Sequence, residues 1–251
     1  MPALCTTGIV TKYVNYKEND RILTVFTPDR GRIDVKARGC RRVKSPLASV
    51  AQIFTYAEFE LYLSHDKYVV NNASVNESFF PIREDIERYA VGSSMLQLCH
   101  DAVQEDEPSE NLFRLLYYSL SFLAYDEVPP EDLFLCFLAK YLDQIGYRPA
   151  ITACAQCGKD LREDKHVYFS PSSGGAVCSV CAPAMHEVSK TALEAVRRML
   201  LLDIGEMNKV RLKTILRNEI SDILMSHAEY SLEYGTKALR FYADFKKQTG
   251  I

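Results

Sequence analysis

Two cysteine pairs carry the clearest chemistry in the chain: Cys154 and Cys157 in CAQCGKD, and Cys178 and Cys181 in CSVC, with twenty residues between the pairs. That spacing belongs to a four-thiolate zinc site. A CxxC turn curls both sulfurs towards one ion, and Zn²⁺ takes four such ligands tetrahedrally. Gly158 permits the tight backbone of such a knuckle. Two alternatives compete. Disulfides are disfavoured where thiols stay reduced, and a redox dithiol needs one CxxC at a helix start, not two matched pairs. With all four positions filled by thiols, no place remains for a reactive water, so the metal would be structural. His166 and His186 lie close enough in sequence to replace a ligand, but ordinary surface or packing roles suit them better. Cys5, Cys40, Cys99 and Cys136 show no ligand spacing, and Cys99 and Cys136 sit in apolar helical patterns that read as core.

The second feature is a basic stretch. From Arg30 to Lys44 there are seven cations against Asp34 alone. In RIDVKAR, Ile33, Val35 and Ala37 alternate with Arg32, Asp34, Lys36 and Arg38, so strand geometry sends the two sets to opposite faces. Arg32, Lys36 and Arg38 then face out, and Arg41, Arg42 and Lys44 follow on a loop introduced by Gly39. A stripe of this density attracts phosphates; the plainer alternative is a solvated strand face with a charged loop. Phe54, Tyr56 and Tyr62 share a face with Glu58 and Glu60, where they can stack bases or pack against neighbouring helices. On KALRFYADFKK, Lys237, Arg240, Lys246 and Lys247 are accounted for by the helix dipole or by a surface for an acidic tail. Walker, GxSxG and HExxH patterns are absent, and no residue set reads as catalytic.

These residues need elements to hold them. The 251-residue chain is 47% apolar and 25% charged, with net charge −3, which suits two or three compact units with ordinary cores. No apolar run approaches ~18 residues, and MPALCTTGIV lacks the basic start and apolar stretch of a signal peptide. The expectation is a cytoplasmic protein. GIVTKYV, RILTVFT and GRIDVKAR read as short strands, with TPDRG as a hairpin turn. A longer strand from Val50 to Leu63, the turn SHDK and the return YVVNNASV complete a set that fits an OB-fold barrel over residues 1–80.

From Pro81 the period changes to that of helices. Ile82, Ile86, Tyr89, Ala90, Met95, Leu96 and Leu98 mark one buried stripe running to Val103, Ser109 caps a second helix, and Pro130 opens a third that Gly146 closes. Helices resume at Ser189, Asn208 and Thr236. HVYFSPSSGGAVC between the cysteine pairs reads as a hairpin, completing a zinc ribbon. The expected fold class is α+β: an OB-fold barrel (1–80), then an α-helical domain (81–150 and 186–251) with an inserted four-cysteine zinc module (151–185). Between Glu84 and Asp132 twelve acids oppose Arg88 and Arg114, so the basic and acidic surfaces suit different partners.

Three stretches in order resemble the family of the bacterial DNA repair protein RecO: GIVTKYVNYKENDRILTVFTPDRGRIDVKARGCRRVKSPL, LDQIGYRPAITACAQCGK and KALRFYADF. The resemblance runs along most of the chain. It implies an OB-fold, a helical domain, a zinc-binding module and no enzyme activity or nucleotide cofactor. It further implies binding of single- and double-stranded DNA, annealing of complementary strands, work with the RecR partner, recognition of the tail of single-strand-binding protein, and help in loading the RecA recombinase. Carried over, the DNA contacts include Lys36, Arg38, Arg41, Arg42 and Lys44. Some members of that family lack the four cysteines, which favours a structural zinc here over one that touches DNA.

Overall fold

The fold is described from a computed structural model, which defines residues 4–182, 187–232 and 236–249. By compactness the chain forms two units, residues 1–125 and 126–251.

The first unit opens with a closed barrel of order β1-β2-β3-β5-β4. Its strands are β1 (Leu4–Tyr16), β2 (Asp20–Thr27), β3 (Gly31–Ala37), β4 (Tyr56–Ser64) and β5 (Lys67–Glu77). Neighbours pair antiparallel except β3 and β5, which pair in parallel at Val35↔Tyr68 and Lys36↔Val69. This is the OB-type barrel anticipated from the sequence. The period-2 alternation of β3 survives intact: Ile33, Val35 and Ala37 join Val10, Leu23, Val25, Phe59 and Leu61 in the barrel core, while Asp34 and Arg38 are exposed. At the β2–β3 turn Gly31 adopts φ 59°, and a Cβ there would lie 2.3 Å from the Gln104 carbonyl, so only glycine fits.

The long strand anticipated from Val50 is shorter. Val50–Thr55 is a turn, and β4 begins at Tyr56. The cause is local: Phe54 takes φ 70°, its N–H donates to the Val10 carbonyl at 3.0 Å, and Val10 N–H donates to the Thr55 carbonyl in return at 2.9 Å. This turns the Phe54 ring into the core, 5.7 Å from Tyr89.

Three helices complete the unit: α1 (Pro81–Glu84), α2 (Ile86–Ala102) and α3 (Glu110–Tyr125). The helix expected to run unbroken from Pro81 stops at Asp85, which turns extended and caps α2 by accepting the Arg88 N–H at 2.8 Å. Ile86 is consequently 74% exposed, not part of the buried stripe, whereas Ala90, Met95, Leu96 and Leu98 are buried as anticipated. Cys99 is fully buried and its thiol is pushed up by that burial.

The second unit holds α4 (Pro130–Gln144), a three-stranded sheet of order β7-β6-β8, and helices α5 (Lys190–Leu201), α6 (Thr214–Ser231) and α7 (Thr236–Thr249). The strands are β6 (Val167–Ser170), β7 (Gly175–Cys178) and β8 (Glu187–Val188). Pro130 opens α4 and Gly146, at φ 88°, follows its end. α4 is apolar on nearly all sides and buried from Glu131 to Leu142; Cys136 lies within it, its thiol pushed up to about 12 by burial. Ser189 caps α5 by accepting the Ala192 N–H at 3.1 Å. The helix expected from Asn208 begins at Thr214; residues 204–209 form a 3-10 turn capped by Asp203. Among the described residues, no helix is long and apolar enough to cross a membrane.

Candidate metal centre and nucleic-acid interface

The four cysteines converge. Their sulfurs all lie within 4.8 Å of one another, and Cys157 Sγ is 3.8 Å from Cys178 Sγ. A tetrahedron with zinc–sulfur bonds of ~2.3 Å has edges of ~3.8 Å, so the Cys157–Cys178 edge matches one and the quartet is compatible with a four-thiolate metal site. All four thiols are free. Residues 155–157 and 179–181 are turns, so neither pair sits at a helix start of the kind that activates a redox dithiol.

The local fold explains the convergence. Cys154 N–H donates to the Lys159 carbonyl at 2.7 Å and Gly158 N–H to the Cys154 carbonyl at 2.9 Å, closing the first knuckle with Gly158 at φ 74°. Ala155 N–H donates to the Ala176 carbonyl at 2.8 Å, which fastens that knuckle to β7. The second knuckle grows from the end of β7, and Cys178 N–H donates to Cys154 Sγ at 3.4 Å. Burial works against a Cys154 thiolate, but N–H donors from Cys157, Cys178 and Gln156 outweigh it and bring the thiol down to about 6. Hydrogen bonding to Cys178, with burial, pushes Cys181 up to about 12. A divalent cation at the centre would displace the remaining protons. His166 is not part of the convergent cluster; its Nδ1 lies 2.8 Å from the Glu187 carboxylate. His186 lies outside the described residues.

The hairpin between the pairs is present as β6 and β7, joined by a 3-10 turn and by Gly174 at φ 79°. With β8 it makes the sheet on which both knuckles stand.

The basic stripe divides. Arg32 is half-buried and donates through Nη1 to the His100 carbonyl at 2.9 Å. Lys36 reaches the Asp20 carboxylate at 3.4 Å and lies over the Tyr16 ring at 4.6 Å. Both of these half-buried cations thus have partners within their own unit. Arg38, Arg41, Arg42 and Lys44 are exposed, and none has a carboxylate partner among the described residues. They stand on the segment that leaves β3, which is anchored where Arg41 N–H donates to the Asn19 carbonyl and Gly39 N–H to the Asp20 carboxylate. Two of the three aromatics on that face pack: Phe54 lies 5.7 Å from Tyr89, and Tyr56 lies 5.3 Å from Tyr117 and 6.1 Å from Phe113, while Tyr62 is half-buried. One cation beside the stripe escaped sequence reasoning. Arg21 stands alone in β2 between Asp20 and Ile22, and local charge density gives no sign of it.

On α7, Lys246 pairs with Glu131, while Lys237, Arg240 and Lys247 are exposed.

An OB-type barrel bearing an exposed cationic segment, and a helical unit that carries a four-thiol ribbon, make an architecture suited to handling polynucleotides. Residues 1–79 match the family model described as Recombination protein O N terminal, and residues 83–240 match Recombination protein O C terminal. The chain is similar to the DNA repair protein RecO of Acetivibrio thermocellus, 31% identical over 244 residues, with 96% of each chain covered. It is similarly related to the RecO of Caldicellulosiruptor saccharolyticus, 31% identical with 95% of this chain and 97% of that one covered. The chain belongs to the recombination protein O family. The names carried by these relatives specify recombination and DNA repair, and none names a catalysed reaction.

Proposed function

We propose that this protein is a DNA-repair and homologous-recombination mediator that grips DNA backbones through the segment leaving β3. The exposure of Arg38, Arg41, Arg42 and Lys44 without carboxylate partners among the described residues carries this reading. In a chain of net charge −3, these four exposed cations have no carboxylate to neutralise them among the described residues. Arg32 and Lys36 flank them and shape the surface. Phosphate contacts of this kind hold single- and double-stranded DNA without reading sequence, and the affinity falls steeply with salt. Because phosphates are bound and bases left free, two strands brought together at reduced repulsion can anneal. In the setting of its family, this protein anneals complementary strands, works with RecR and with the acidic tail of single-strand-binding protein, and helps load RecA, in the cytoplasm at the nucleoid. Cys154, Cys157, Cys178 and Cys181 hold one structural Zn²⁺, which fixes the ribbon and takes no part in DNA contact.

The test is the triple variant Arg38→Ala, Arg41→Ala, Arg42→Ala. Single-strand affinity at low salt should fall, the salt slope should shrink by about two, and annealing of DNA coated with single-strand-binding protein should slow. Unchanged affinity and slope would remove the segment from DNA binding.

A further inference from the structure

The structure assigns one backbone phosphate to a pocket behind the exposed segment, with Arg21 as its fixed anchor. This rests on the DNA-binding reading above and goes beyond it, because Arg21 lies outside the cationic stripe.

The pocket encloses about 320 Å³ and is lined by Arg21, Cys40, Arg41, Arg42, Ala48 and Gln52, with Val43 at its edge. Three arginines are among its lining residues, and no carboxylate is. The nearby acid, Asp20, is not among the lining residues and is occupied by Gly39 N–H and Lys36. Three cationic side chains around one shallow pocket, with no carboxylate among its lining residues, suit an anion.

Arg21 differs from the other cations in being held. Its guanidinium stacks 3.8 Å from the centre of the Tyr13 ring. Its Nε donates to Asn15 Oδ1 at 3.2 Å and its Nη1 to the Ala51 carbonyl. Register explains the grip: Asn15 pairs with Arg21 across β1–β2, and Arg21 pairs with Ala37, the last residue before the cationic segment. With one face and two edges fixed, Nη2 remains without a partner among the described residues. A planar donor immobilised in this way loses little entropy when it binds a tetrahedral oxyanion. Arg41, whose Nη1 donates to the Lys17 carbonyl at 3.4 Å, and the exposed Arg42 line the same pocket, as does Gln52, whose Nε2 donates to the Ala48 carbonyl at 3.2 Å. Cys40 is 3% exposed and its thiol is held up by burial, so it serves as neutral packing.

The occupant is a phosphodiester of a DNA strand that runs on over Arg38, Arg41, Arg42 and Lys44; inorganic phosphate shares the chemistry and is the control. The experiment measures anisotropy of a labelled oligothymidylate across a salt series, for wild type, Arg21→Ala, Arg21→Lys, Gln52→Glu and Arg38→Ala, with thermal melts of each. Arg21→Ala should weaken binding about tenfold at low salt and lower the salt slope by about one. Arg21→Lys should recover part of the affinity. Gln52→Glu, nearly isosteric, should weaken binding by placing a carboxylate in the pocket, and it decides the matter alone if Arg21→Ala melts. If Arg21→Ala and Gln52→Glu bind as wild type while Arg38→Ala is weakened, the pocket assignment fails and the functional reading survives. If calorimetry shows inorganic phosphate binding lost in Arg21→Ala with DNA affinity intact, the pocket is a free-anion site and the assignment fails as well. If no variant, Arg38→Ala included, changes affinity or slope, both readings fail.

Discussion

Lys36 Nζ lies 3.4 Å from the carboxylate of Asp20, whose other contact is the Gly39 N–H at 2.8 Å. One acid therefore ties the end of β3 and the start of the cationic segment to the start of β2. The arrangement separates two kinds of cation that look alike in sequence: those that fix the segment and those that the segment presents.

The first prediction follows from that separation. Lys36→Ala should lower single-strand affinity less than Arg38→Ala or Arg42→Ala, while costing about 1 kcal/mol of stability that the exposed arginines do not supply. The hydrogen bond from Gly39 N–H, and then Lys36, hold the Asp20 carboxyl below its ordinary value against the effect of burial. A carboxyl depressed in the folded state adds stability above its unfolded pKa of about 4 and loses it as pH falls through the folded value. Wild type should thus lose stability on acidification below about pH 4, and Asp20→Asn should be less stable at neutral pH with a flatter acid limb. Chemical melts at pH 7, 4 and 3 check both; parallel curves for the two proteins would refute the linkage.

The second prediction concerns the thiol quartet. One Zn²⁺ per chain should be found by elemental analysis, and chelation or Cys154→Ser should release it. A four-thiolate site can supply on the order of 10 kcal/mol to a segment that cannot bury a core of its own. Its loss should open residues 150–188 to hydrogen exchange. DNA affinity through the barrel should hold within about twofold at fixed salt, since phosphate contacts set it. A large drop in affinity that tracks metal loss would place the ribbon in the DNA contact.

What could be read in advance depended on how local the cause was. The cysteine quartet was legible because CxxC spacing and the glycines at 158 and 174 act within a few residues. The barrel was legible because alternation at Ile33, Val35 and Ala37 fixes which face is buried. Phe54 was misplaced within a long strand because its positive φ is imposed by hydrogen bonds with Val10, which is far away along the chain. Asn208 looked like a helix cap, yet the helix starts at Thr214, because Leu212 N–H is taken by the Asp132 carboxylate at 2.9 Å. Arg32 and Lys36 read as outward cations on alternation alone; their partners, the His100 carbonyl and Asp20, are tertiary.

Asp132 supports the third prediction. It is fully buried, accepts from Arg217 Nε at 2.6 Å and from Leu212 N–H at 2.9 Å, and is followed in space by the Glu131–Lys246 pair. Removing one partner of a buried pair leaves the other uncompensated, so Asp132→Ala should cost about 3–5 kcal/mol. Replacing both, as Asp132→Leu with Arg217→Met, should restore much of that loss. A double-mutant cycle with no coupling between the sites would show that the pair is not the cause.

The last prediction sets two adjacent glycines against each other. Gly174 has φ 79° with nothing near the position of a Cβ, so alanine there meets only backbone strain of about 1 kcal/mol. Gly175 is different. A Cβ at that position would lie 2.1 Å from the Ala150 carbonyl oxygen and 2.7 Å from its nitrogen, both backbone atoms that cannot rotate away. Ala150 N–H donates to the Gly174 carbonyl at 3.0 Å, its own carbonyl accepts from Ala176 N–H at 2.7 Å, and the chain from Ala150 leads directly to Cys154. Displacing that segment strains the first knuckle against β7. Gly175→Ala should therefore cost about 2–3 kcal/mol and weaken metal retention in a chelator competition, whereas Gly174→Ala should keep its metal like wild type. Equal metal loss in both variants would mean that turn conformation, not close approach of the backbones, sets the geometry of the thiol site.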